Sequence, residues 1–107
     1  MELWKGTLDS LVLKTLSGGS MHGYGVTRWI REQSGGTLDV EDAALYQSLH
    51  RMERRGWVES EWGRSENNRR AKYYNITPRG RKELAQQTGE IRRYVGALFQ
   101  VLEAETA

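Results

Sequence analysis

A chain of 107 residues can close one modest hydrophobic core and is too short for two independent ones. It has no cysteine, which excludes disulfides and thiolate zinc sites, and no apolar run nears the roughly 20 residues of a membrane span. The net charge of +2 is small but unevenly spread: Arg64 to Lys82 holds seven basic residues and one acid, whereas Glu83 onward holds four acids and two arginines. A local positive patch of this kind attracts a polyanion. Met1 to Lys5 lacks the basic start and apolar run of a signal peptide, so a soluble cytoplasmic protein is expected.

Leu8, Leu11, Val12 and Leu16 recur at helical spacing and predict a first helix from about Thr7 to Ser17, with Thr7 as N-cap, Asp9 suiting the helix dipole and Gly18-Gly19 as the stop. Ser20 to Gly25 is a turn-rich entry into a second helix whose inward face carries Val26, Trp29 and Ile30, ending at Ser34-Gly35-Gly36. His22 reads as a turn or capping residue rather than a metal ligand. Leu38 to Val40 is a candidate third strand.

Glu41 to Arg55 predicts a third helix. Leu45, Leu49 and Met52 form its buried stripe, which leaves Ala43, Gln47, His50 and Arg54 on the opposite side, flanked by Tyr46 and Arg51. His50 reads as a surface residue, not a catalytic base, and Arg54 and Arg55 suit a helix end. Trp57 to Trp62 and Ala71 to Ile76 are rich in aromatic and β-branched residues. They flank a polar segment with Gly63, Ser65, Asn67 and Asn68 and predict a hairpin with an extended loop ending in Arg69 and Arg70. At least one of Tyr73 and Tyr74 is expected in the core, and Trp57 and Trp62 are expected to pack.

Thr77-Pro78 starts a last helix, from about Pro78 to Glu103: threonine caps, and proline at the first position loses no hydrogen bond. Its apolar positions Leu84, Ile91, Val95, Leu98 and Leu102 step by about 3.5 residues, the spacing of a helix packed along another helix. Gly80, Gly89 and Gly96 each cost about 1 kcal/mol relative to alanine. Close approach of another backbone would account for them.

Three helices followed by a two-stranded wing form a winged helix-turn-helix, mainly α with a small β-hairpin (α+β), in which the third helix is the candidate for the major groove. The order agrees with family motifs. Lys5-Gly6-Thr7-Leu8-Asp9, Met21-His22-Gly23-Tyr24-Gly25, Leu45-Tyr46 with Leu49-His50-Arg51-Met52-Glu53, Arg55-Gly56-Trp57, Ser65 to Tyr74, and Ile76-Thr77-Pro78-Arg79-Gly80 resemble the PadR family of bacterial transcriptional regulators. The resemblance implies a winged-helix DNA-binding domain over residues 1–77 and a C-terminal dimerisation helix over 78–107, the short branch of the family. It also implies a homodimeric repressor on an inverted-repeat operator, without cofactor, released in many relatives by a phenolic or other aromatic effector.

Two departures qualify this. Ala43-Ala44-Leu45-Tyr46-Gln47 stands where the family commonly has Gly-Ser-Leu-Tyr-Pro, which removes a hydroxyl and adds a side chain able to bond adenine in pairs. Ile91 stands where relatives often carry a ligand-stacking tryptophan.

The expected DNA contacts are Tyr46, Gln47, His50 and Arg51 on the third helix and Asn67, Asn68, Arg69, Arg70 and Lys72 on the wing. The expected dimer interface is Leu84, Ile91, Val95, Leu98 and Leu102, with Leu3 or Trp4 joining it, and the candidate effector pocket is Tyr94, Leu98 and Phe99. The alternative is a winged-helix protein-interaction module without DNA binding. No catalytic motif or metal-ligand cluster supports an enzyme.

Overall fold

The computed structural model describes residues 6–106; Leu3 and Trp4 lie outside them. Four helices and a three-stranded antiparallel sheet follow in the order α1 (Thr7–Leu16), β1 (Met21–His22), α2 (Gly23–Gln33), α3 (Asp42–Arg54), β2 (Val58–Arg64), β3 (Arg70–Ile76) and α4 (Pro78–Leu102). The core collects Val12, Leu13 and Leu16 from α1, Val26 and Ile30 from α2, and Leu45, Leu49 and Met52 from α3, closed by Val58 and Tyr74 of the sheet. The periodic stripes of the three helices therefore meet one another as their spacing predicts.

Local chemistry sets most boundaries. α1 begins at Gly6 (φ 88°), not at a Thr7 cap: the left-handed turn places Thr7 already inside the helix, and no side chain caps it. α2 is capped by His22, whose Nδ1 accepts from the Gly25 N–H at 3.0 Å. α3 ends where Gly56 turns left-handed (φ 77°), with Trp57 N–H donating to Met52 O and Gly56 N–H to Glu53 O. β2 then starts within two residues, so α3 and the wing share a short junction.

The sheet order is β1-β3-β2, and the third strand is Met21–His22, paired with Tyr74 and Tyr73. The expectation that Leu38 to Val40 would supply it is overturned. Leu38 N–H donates to Ser34 Oγ, Arg31 donates to Asp39, and Val40 is buried in the core, so this segment is tied to the end of α2 as irregular chain.

α4 starts as expected. Thr77 Oγ1 accepts from the Gly80 N–H at 3.0 Å and donates to Gly56 O at 2.7 Å, with Pro78 in the first turn. A Cβ at Gly80 would lie 2.1 Å from the Trp57 carbonyl oxygen, so here a neighbouring backbone does demand glycine. Farther along, α4 leaves the core, and the molecule extends to 62 × 28 × 21 Å.

Candidate nucleic-acid interface

α3 presents Ala43, Gln47, His50 and Arg54 to solvent while Leu45, Leu49 and Met52 are fully buried. Tyr46 stands at the edge of this face, 42% exposed, with its ring against the first residue of α2: a Cβ at Gly23 would come within 2.7 Å of its hydroxyl. Arg51 is placed differently from the expectation. Its guanidinium turns back to Asp9 on α1, at 2.5 Å, and is committed to an internal partner.

The wing is a regular hairpin, with Val58 opposite Ile76 and Arg64 opposite Arg70. Its loop closes through Ser65 N–H to Arg69 O and Asn68 N–H to Ser65 O, with Asn68 left-handed at φ 57°. Alternation along strands puts Val58, Trp62, Arg70, Lys72, Tyr74 and Ile76 on one face. Near the base that face enters the core through Val58 and Tyr74. Toward the tip it runs past the core and turns Trp62, Arg70 and Lys72 over a groove.

That groove is an open cleft of about 1050 Å³ between α2 and α3 on one side and the wing on the other. It brings together Tyr46 and His50 with Asn67, Arg69, Arg70 and Lys72, while Gln47 faces outward on α3 beside it and Asn68 sits at the loop turn. Residues outside the expected set also line it, among them His22, Tyr24, Arg28, Glu32, Trp62 and Glu66.

Trp62 corrects the expectation of a packing residue. It is 59% exposed, and the Arg70 guanidinium lies 4.1 Å from its ring centroid. The contact follows from register, because Trp62 faces Lys72 and is diagonal to Arg70 on the same sheet face. The signal was the shared parity of positions 62 and 70, which becomes readable once the hairpin register is known. Trp57, by contrast, packs against the core as expected.

Arg28, Arg69, Arg70 and Lys72 outnumber Glu32 and Glu66 among the charged residues that line the cleft. Arg69 and Arg70 are exposed cations, whereas Arg28 is held charged by its hydrogen bond to Glu32 and is partly offset by it. Burial, with the nearby Glu53, pushes the Tyr74 phenol above its ordinary value. Among the described residues no group of three His, Asp or Glu side chains is placed to hold a metal ion.

On α4, Leu84 packs on the core, Ile91 and Leu98 are half-buried, and Val95 and Leu102 are exposed. Tyr94 and Phe99 are exposed beside them.

The chain matches the family described as Transcriptional regulator PadR-like over residues 12–86. Its fold is similar to that of a transcriptional regulator from Clostridium thermocellum, at 28% identity and a TM-score of 0.81 over 90% of each chain. It is similar also to a PadR family transcription regulator from Clostridium difficile, at 25% identity and a TM-score of 0.75 over 92% of this chain and 100% of that one. Bacillus subtilis PadR, solved in complex with operator DNA, shares the fold at 22% identity and a TM-score of 0.68, over 77% of this chain and 46% of that one.

Proposed function

Because this chain belongs to the PadR-like family of transcriptional regulators, we propose that it acts as a homodimeric repressor that reads an inverted-repeat operator with α3 and grips the backbone with its wing. The observation that carries this reading is the cleft, in which His50 and Tyr46 of α3 face Arg69, Arg70 and Lys72 of the wing across a gap open to solvent. Arginines and lysines that neutralise phosphates provide affinity that falls steeply with salt. Gln47 and His50 on the exposed face of α3 suit base edges. Arg51 has no part in this reading, since Asp9 already holds it.

A dimer is supported by the outer half of α4, where Val95, Phe99, Val101 and Leu102 are 42–77% exposed. Two copies related by a two-fold axis would cover these side chains and set the two α3 helices about one duplex turn, roughly 34 Å, apart. Tyr94, Leu98 and Phe99 lie on that part of α4, and an aromatic effector seated there would release DNA by favouring a different tilt of the two subunits.

The test is a salt titration of binding to the promoter of its own gene. The wild type should lose affinity steeply with salt. Arg69→Ala with Arg70→Ala should weaken binding to every duplex and lower the salt slope by about 2, while Gln47→Ala should change sequence preference. Undetectable or salt-independent binding would favour a protein-interaction module instead.

A further inference from the structure

α1 is tied on two sides by polar side chains that are adjacent in sequence. Asp9 is 6% exposed, and its Oδ1 accepts from Ser48 Oγ and from Arg51 Nη2, each at 2.5 Å. Ser10, equally buried, donates through Oγ to Gln87 Oε1 of α4 at 2.6 Å, and Gln87 donates in turn to Glu83. One step of the α1 backbone thus joins the recognition helix to the last helix.

The positions on α3 matter. Ser48 and Arg51 lie one turn apart, and they directly follow Gln47 and His50 in sequence. Successive residues on a helix differ by about 100°, so clamping Ser48 and Arg51 sets the angle at which Gln47 and His50 face outward. The apolar contacts of Leu45, Leu49 and Met52 set which side of α3 faces inward. Two charge-assisted hydrogen bonds to one buried carboxylate add a directional restraint on its rotation.

We propose that Asp9 is a positioning residue for sequence readout, and that the Asp9-Ser10 step transmits the tilt of α4 to the reading face of α3. This rests on the DNA-binding reading above. Asp9 touches no DNA; it acts by fixing the azimuth of α3. Ser10 acts at one further remove, by fixing α1 against α4.

The test uses the full chain and two duplexes of equal length: the sequence that the wild type enriches most from a randomised pool, and its scrambled version. Asp9→Asn keeps an oxygen acceptor but removes the charge. It should lower the ratio of the two affinities about tenfold, within the usual range of coupling between sites, without lowering affinity for the scrambled duplex. Ser10→Ala, which removes only the bond to α4, should lower the ratio about fivefold, the low end of that range. Thermal melts run in parallel, and if Asp9→Asn does not fold, Ser10→Ala decides alone. An unchanged ratio overturns the proposal, as does an equal loss on both duplexes that tracks the melting temperature. If the wild type enriches no sequence at all, the DNA-binding reading fails and this inference fails with it.

Discussion

The two ends of α4 share one continuous apolar stripe and meet opposite surroundings. At its start, Leu84 packs on the core and Gly80 lies against the Trp57 carbonyl so closely that even a methyl group would collide. At its far end, Val101 and Leu102 are more than 70% exposed, and a Cβ at Gly96 would meet nothing within 4 Å. Periodicity reports that a helix has a face to bury; it does not report whether the cover comes from the same chain. The same residue type, glycine, is demanded by contact at one end and not by this chain at the other.

Four variants sharpen that contrast. Gly80→Ala should destabilise most, by about 3 kcal/mol or more, because the clash is with backbone and cannot be relieved by a rotamer; chemical denaturation measures it, and a loss below about 1 kcal/mol would show that the first turn of α4 can shift. Val95→Asp with Leu98→Asp should raise the dissociation constant of the proposed dimer about a hundredfold, roughly 2.7 kcal/mol, while leaving helix content intact. Analytical ultracentrifugation reads the change, and an unaltered association would move the interface elsewhere.

Thr77→Ala removes both the cap on Gly80 and the bond to Gly56, and should cost about 1–2 kcal/mol in the same denaturation assay. Gly96→Ala should have the smallest effect and the opposite sign, stabilising by up to about 1 kcal/mol through helix propensity. A fall in melting temperature there would instead place a partner backbone against Gly96.

Much of the fold was legible because its signals are local or periodic. The α3 stripe, the Thr77-Pro78 start and the hairpin around residues 58–76 all follow from spacing or from the conformational limits of proline and asparagine. What escaped depends on pairs distant in sequence. Asp9 reads as a dipole partner until α3 is packed against α1, when it becomes the buried acceptor for Ser48 and Arg51 and turns the Arg51 guanidinium toward α1. Met21–His22 is too short to show alternation, so only its pairing with β3 identifies it as a strand. Trp62 looked like core by composition; its side of the sheet and its distance from the base put it beside Arg70 instead.

The junction at Gly56 and Trp57 has a mechanical consequence. Gly56 O accepts from the Thr77 hydroxyl, Trp57 O accepts from the Thr77 N–H at 3.0 Å, and Gly80 seats on that same carbonyl. The root of the hairpin is therefore built in at both strands, like the fixed end of a cantilever. A load at Arg69 or Arg70 is borne by bending along the strands and by the loop over residues 65–69, not by swinging at the base. On the proposed DNA-binding reading, operators that differ in groove width would be accommodated at the free end, with the angle between wing and α3 held constant.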